Sequence, residues 1–164
     1  MADLITCSNC QGEVTEDSEF CPHCGYLLVE EPLTCELHPD NEATGVCIIC
    51  RRTVCEQCSE ENDRRVFCLD HLDVVVDGDW AEVFRSTDVN EAELARAVLE
   101  EAKFHVEVQN FGSIGYAWDG GGDSAISRVN LNSPAKVFVP LVEYLEAKQV
   151  LEDWRTAAPD SDTV

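Results

Sequence analysis

The chain has 164 residues, 33 acidic against 11 basic, for a formal net charge of −22. A surface of that sign repels phosphate backbones and anionic bilayers, and the length accommodates one ordinary domain or several small ones. No apolar run approaches the roughly 20 residues of a membrane helix. MADLITCSNC lacks the basic and apolar stretches of a secretory leader, so the sequence reads as cytoplasmic.

Disulfides are rare in that compartment, so ten cysteines call for another explanation, and metal is the leading one. All ten lie between Cys7 and Cys68. Joints fall at VEEPLT (29–34), around Pro32, and at DVVVDGD (73–79), read as a short strand and turn. The expected organisation is a first cysteine module at 4–28, a second at 34–73, an α+β domain at 79–155 and a polar tail at 156–164.

The first group is CSNCQGEVTEDSEFCPHCG, with Cys7, Cys10, Cys21 and Cys24 in two Cys-x2-Cys knuckles. A two-residue spacer lets both sulfurs reach one ion, and four sulfurs close a tetrahedral zinc site. Gly25 supplies the left-handed residue after the second knuckle, whereas the first has Gln11 there, with Gly12 one later. A pair of redox Cys-x-x-Cys motifs is the competing reading. Leu4–Leu28 resembles the short zinc-ribbon family. That resemblance implies these four cysteines as ligands and places Phe20 beside the metal.

The second group pairs Cys35 with His38, Cys47 with Cys50, Cys55 with Cys58, and Cys68 with His71. Eight ligands fill two four-coordinate sites of three thiolates and one imidazole. The RRTV link between Cys50 and Cys55 permits sequential or interleaved pairing. CELHP, CIIC, RRTVCEQC and FCLDHL together resemble a B-box-type zinc finger. The resemblance implies interleaving: Cys35, His38, Cys55 and Cys58 on one ion, and Cys47, Cys50, Cys68 and His71 on the other. It also implies protein–protein contact.

These assignments use all ten cysteines and two of the four histidines and anticipate three zinc ions. Every coordination position is filled by protein, whereas catalytic zinc keeps one open. His23 is read as solvent-facing and His105 as a strand residue on a polar face. Arg51, Arg52, Arg64 and Arg65 form the adjacent basic pairs and read as counter-charges to thiolate-rich centres.

Beyond residue 79, DWAEVFRS has strand character. NEAELARAVLEEAK reads as a helix capped by Asn90 with Glu93, its apolar face at Leu94, Ala95, Val98, Leu99 and Ala102. FHVEVQN alternates as a strand. AKVFVP is a strand ended by Pro140. LVEYLEAKQVLEDW is a second amphipathic helix, burying Leu141, Tyr144, Leu145, Ala147, Leu151 and Trp154. This order resembles a prokaryotic signal-transducing domain family, which implies a ferredoxin-like fold. The intervening FGSIGYAWDGGGDSAISRVNLNSP reads as a loop, with Tyr116, Trp118 and the 120–122 glycines as a candidate partner surface.

No nucleophile elbow, nucleotide loop or HExxH motif is present. The sequence therefore reads as small zinc-stabilised modules, a ribbon plus an interleaved B-box-type finger, followed by a ferredoxin-like domain. The expected function is a non-catalytic adaptor or regulator acting on a protein partner. A zinc-ribbon nucleic-acid-binding protein, opposed by the charge, and a thiol redox protein are the alternatives.

Overall fold

The computed structural model describes residues 3–111 and 133–157. The chain divides into two compact units, one ending at Asp73 and the other starting at Val74. The segment expected to hold Tyr116, Trp118 and the 120–122 glycines lies outside the described residues, as does the tail from residue 158.

The first unit is built from two-stranded hairpins. Strands β1 (Leu4–Thr6) and β2 (Glu13–Thr15) pair antiparallel, with Thr6 opposite Glu13. A single bridge joins Phe20 to Leu27. Strands β3 (Gly45–Val46) and β4 (Thr53–Val54) pair with Val46 opposite Thr53. Each of these three pairs closes a six-residue loop, CSNCQG, CPHCGY and CIICRR. A longer hairpin joins β5 (Ser59–Asn62) to β6 (Arg65–Cys68). Its turn residues Asp63 and Arg64 both have positive φ, 49° and 61°, the backbone of a type I′ turn.

The second unit is a four-stranded antiparallel sheet. Its strands are β7 (Val76–Asp77), β8 (Trp80–Ser86), β9 (Glu107–Gln109) and β10 (Ala135–Pro140), in the order β7-β8-β10-β9. Gly78, at φ 58°, turns β7 into β8. Helix α1 (Val89–Glu101) joins β8 to β9, and β10 lies between those two strands. Since β10 is antiparallel to both, β8 and β9 run parallel, and β8-α1-β9 is a split βαβ unit. A turn of 3-10 helix, Leu141–Glu143, then leads into α2 (Tyr144–Ala157).

Cross-strand partners share a face. Ala81 opposes Val139, and Phe84 and Val108 both oppose Val137. Ala81 and Phe84 are three residues apart yet lie on one face because the register shifts between Val137 and Phe138, leaving Val83 as an extra residue in β8. Arg155 of α2 stands over the Phe84 ring at 5.0 Å, so this is the helix-covered face. Ala92, Ala95 and Leu99 of α1, with Tyr144, Ala147 and Leu151 of α2, are its buried helical residues. The opposite face carries Glu82, Arg85 and Lys136. The Arg85 guanidinium donates to both Glu82 carboxylate oxygens, at 2.6 and 2.9 Å.

Several local expectations are corrected. Asp88, not Asn90, caps α1: its backbone is extended and its Oδ1 accepts from the Asn90 N–H at 2.9 Å. The buried stripe of α1 is rotated from the expected one, leaving Leu94 57% exposed and Ala102 exposed. Leu145 of α2 is likewise exposed, and Trp154 is only half-buried. In both helices the buried positions repeat at i, i+3 and i+7, the stripe that meets a flat sheet. The α1 chain reverses through Lys103 at φ 71°, with Phe104 N–H donating to Leu99 C=O and Lys103 N–H to Glu100 C=O. This is a Schellman stop made without glycine. It delays the next strand to Glu107, so His105 precedes the strand instead of lying in it. Helix α2 runs on to Ala157, past the expected end of the domain at residue 155.

Candidate metal centres

The twelve Cys and His positions singled out from sequence come together in three groups of four. They are Cys7, Cys10, Cys21 and Cys24; Cys35, His38, Cys55 and Cys58; and Cys47, Cys50, Cys68 and His71. In each group the candidate donor atoms lie within 4.8 Å of one another. The second and third groups interleave along the chain.

Three of the knuckles share one backbone design. The first cysteine's N–H donates to the carbonyl five residues on: Cys7 to Gly12 at 2.9 Å, Cys21 to Tyr26 at 2.8 Å, and Cys47 to Arg52 at 2.9 Å. Its carbonyl accepts from the residue four on: Gln11 at 3.0 Å, Gly25 at 2.8 Å and Arg51 at 2.9 Å. That fourth residue is left-handed each time, with φ 66°, 80° and 63°. The six-residue hairpin tips described above are thus one structural module used three times. Sequence reasoning marked Gly25 at this position but missed that Gln11 and Arg51 adopt the same conformation.

The remaining pairs are held differently. Cys35 N–H donates to Asn41 C=O, and Asn41 N–H to His38 C=O, folding CELHPDN back on itself. Cys68 ends β6 and precedes a 3-10 turn, Leu69–His71, which brings His71 Nδ1 to 3.1 Å from the Cys68 sulfur. Both histidines present Nδ1 to their sulfurs.

The distances test the donor chemistry. Sulfurs about 2.3 Å from a tetrahedral ion lie about 3.8 Å apart, and an imidazole nitrogen lies about 3.5 Å from each sulfur. The shorter S···S distances include 3.8 and 3.6 Å in the first group, 3.4 and 3.7 Å in the second and 3.8 Å in the third. S···Nδ1 distances run from 3.1 to 3.8 Å. A disulfide would need about 2.05 Å, and all ten cysteines are free thiols. One all-sulfur set and two sets of three sulfurs with one nitrogen, each with its donors within 4.8 Å of one another, are compatible with three zinc ions.

Burial pushes the Cys7 thiol up, but the backbone N–H groups of Cys10 and Asn9 outweigh it and hold Cys7 at about 7. The hydrogen bond with Cys50 draws Cys47 down to about 4, against burial. Burial opposes ionisation of Cys55, but the Asn41 amide and the Gln57 N–H bring it to about 6. Hydrogen bonds to the Cys35 and Cys55 sulfurs raise His38. Each group thus pairs a thiol drawn below its ordinary value with a neighbour pushed above it, as burial pushes Cys58 up to about 11.

Around the Cys7/Cys10/Cys21/Cys24 group the packing differs from expectation. Val14 and Leu28 pack against the cysteines. Phe20 is half-buried, bridges Leu27 and lies under the Arg51 guanidinium at 5.8 Å. His23 is half-exposed, with its Nε2 3.2 Å from the Glu13 carbonyl and its ring against Gly12. Of the expected arginine counter-charges, Arg51 sits between two centres. Its Nη1 donates to Pro22 C=O at 3.3 Å, and Cys47 and Cys21 both act on its charge. Burial pulls the Arg51 guanidinium below its ordinary value. Arg52 instead faces Asp70 at 3.7 Å, and Arg64 is exposed at the β5–β6 turn.

No family model, curated protein or solved structure matches this chain. No helix among the described residues is long and apolar enough to cross a membrane.

Proposed function

We propose that this chain is a non-catalytic zinc-binding adaptor or regulator, acting through contact with a protein partner. The observation that carries the reading is saturation: each centre assembles four protein donors, so a bound zinc has no position left for water or substrate. The twelve clustered residues are the proposed ligands, and zinc supplies cross-linking beside the small core, Val46, Ile48 and Val54 among it, that so short a unit can bury.

The finer assignments belong to the same reading. Ribbon geometry at 4–28 and interleaved groups at 34–73 support a short zinc ribbon followed by a B-box-type finger, a family used for protein contact. The split βαβ unit supports a ferredoxin-like relation for the second unit. Its edge strand β7 occupies, from the N-terminal side, the place a final strand takes in that fold. A cytoplasmic signal-transducing role follows from these resemblances.

The test is affinity capture from the source organism's lysate with zinc-loaded chain, against a Cys55→Ser variant of equal zinc content at the other two centres. A partner held by the first, lost from the second and recovered in the reciprocal capture supports the adaptor. Salt-dependent binding to DNA or RNA with no such partner overturns it in favour of nucleic acid.

A further inference from the structure

The ribbon does not stand apart from the finger. Val46 N–H donates to Gly25 C=O at 2.8 Å, and Val66 N–H to Cys24 C=O at 2.9 Å. The Val66 carbonyl in turn accepts from Ile48 N–H at 3.0 Å. The Val66 peptide is therefore held on one side by a ribbon ligand and on the other by the Cys47–Cys50 knuckle. Gly25, Val46 and Val66 meet so closely that a Cβ on Gly25 would lie 1.9 Å from the Val46 oxygen. Arg51 completes the junction, extending from the residue after Cys50 to the Pro22 carbonyl inside the ribbon's second knuckle.

We propose that the Cys7/Cys10/Cys21/Cys24 centre and the Cys47/Cys50/Cys68/His71 centre bind and release zinc as a linked pair, with Arg51 a positioning residue for that linkage. This rests on the zinc reading above. Emptying the ribbon frees its second knuckle and withdraws the acceptors that fix Val46, next to Cys47, and Val66, two residues before Cys68. Emptying the other centre withdraws the donors that fix Cys24 and Gly25. Two filled centres also give the Arg51 cation anionic neighbours on both sides, since a zinc held by four thiolates carries net charge −2 and one held by three thiolates and an imidazole −1. The Cys35/His38/Cys55/Cys58 centre supplies the comparison. Its backbone bonds, Cys35 N–H to Asn41, Glu36 N–H to Thr53 and Leu69 N–H to Cys58 C=O at 3.2 Å, lie within residues 34–73, so a change at the first centre reaches it through the Cys47 centre and should arrive weakened.

Coupling between binding sites is reciprocal. On full-length, zinc-loaded protein, the measurement is the chelator concentration at which each cysteine becomes half-labelled by a thiol reagent, read peptide by peptide. In Cys10→Ser, we expect Cys47, Cys50 and Cys68 to label at about tenfold less chelator, with a much smaller change at Cys35, Cys55 and Cys58. In His71→Ala, Cys7, Cys21 and Cys24 should shift by the same factor. In Arg51→Gln, three zinc ions should still bind, and the coupling factor should fall towards one when Cys10→Ser is added. No shift at the Cys47 centre, or an equal shift at the Cys35 centre, overturns the linkage. An unchanged factor in Arg51→Gln overturns the role of Arg51. Wild-type protein without bound zinc in native mass spectrometry would instead overturn the metal reading beneath it.

Discussion

The carbonyl of Gly25 accepts a hydrogen bond from the Val46 amide at 2.8 Å, with Gly25 at φ 80° and no room for a Cβ. Two constraints meet there: a conformation that only glycine adopts cheaply and a backbone packed against a backbone. Gly25→Ala should therefore destabilise the cysteine-rich unit by more than about 3 kcal/mol, the sum of left-handed strain and a displaced strand. At the equivalent position of the first knuckle, Gln11→Gly should stabilise by about 1 kcal/mol. Chelator-resistance curves on both variants check the pair. A Gly25→Ala protein as resistant as wild type would refute the junction.

Metal removal should act on one unit alone. A structural zinc contributes about 10–16 kcal/mol in small finger peptides, and the first unit has hairpins of two to four paired residues to fall back on. Excess chelator should abolish amide-exchange protection from Leu4 to His71. Helices α1 and α2, held by Ala95, Leu99, Ala147 and Leu151 in their own core, should keep their far-ultraviolet signal. Collapse of both signals together would contradict this.

The helix cap separates two neighbouring residues. Asp88→Ala should cost about 0.5–2 kcal/mol of second-unit stability, because it removes the acceptor for Asn90 N–H. Asn90→Ala, inside the helix, should cost less than about 0.5 kcal/mol. Urea unfolding followed by helical signal distinguishes them; equal losses would return the cap to Asn90.

Glu143 sets a pH dependence. Burial opposes its charge, but the His105 ring at 2.6 Å and the His105 N–H at 2.9 Å overcome that and hold its carboxyl below the ordinary carboxylate value. A depressed folded value adds stability above the unfolded value of about 4.3, and that stability is lost as pH falls through the folded one. His105 is largely exposed although Glu143 is half-buried, so solvent screening keeps the gain below about 1 kcal/mol. Glu143→Gln should be the less stable protein at neutral pH and match wild type near pH 3. A difference that persists in acid would show that the charge is not responsible.

The candidate ligands were legible in the sequence because metal chemistry demands paired donors at short spacing, and Cys35/His38 and Cys68/His71 stand out within such a series. Their grouping was not fixed by the RRTV spacer, which allows both pairings; the structure shows the interleaved one. The threefold knuckle was hidden because CSNCQG, CPHCGY and CIICRR share only their cysteines, and the left-handed residue is glycine in just one of them. The Val66 bridge was equally hidden: it joins Cys24 to a residue about forty positions on, and no local pattern reports such a bond. In the second unit, the elements were readable from periodicity. The faces of α1 and α2 shifted because a small sheet covers a narrower stripe than an apolar count at Leu94 and Leu145 suggests. The Val83 bulge has no side-chain signature.

The interleaved grouping also imposes an order on biosynthesis. As the chain leaves the ribosome, the donors of the first centre are complete at Cys24, those of the Cys35 centre at Cys58, and those of the last centre only at His71. Cys24 and Gly25, whose carbonyls accept from Val66 and Val46, are thus synthesised before their donors. The loop made first carries the acceptors that the last-made centre needs, so synthesis order and hydrogen-bond order run the same way.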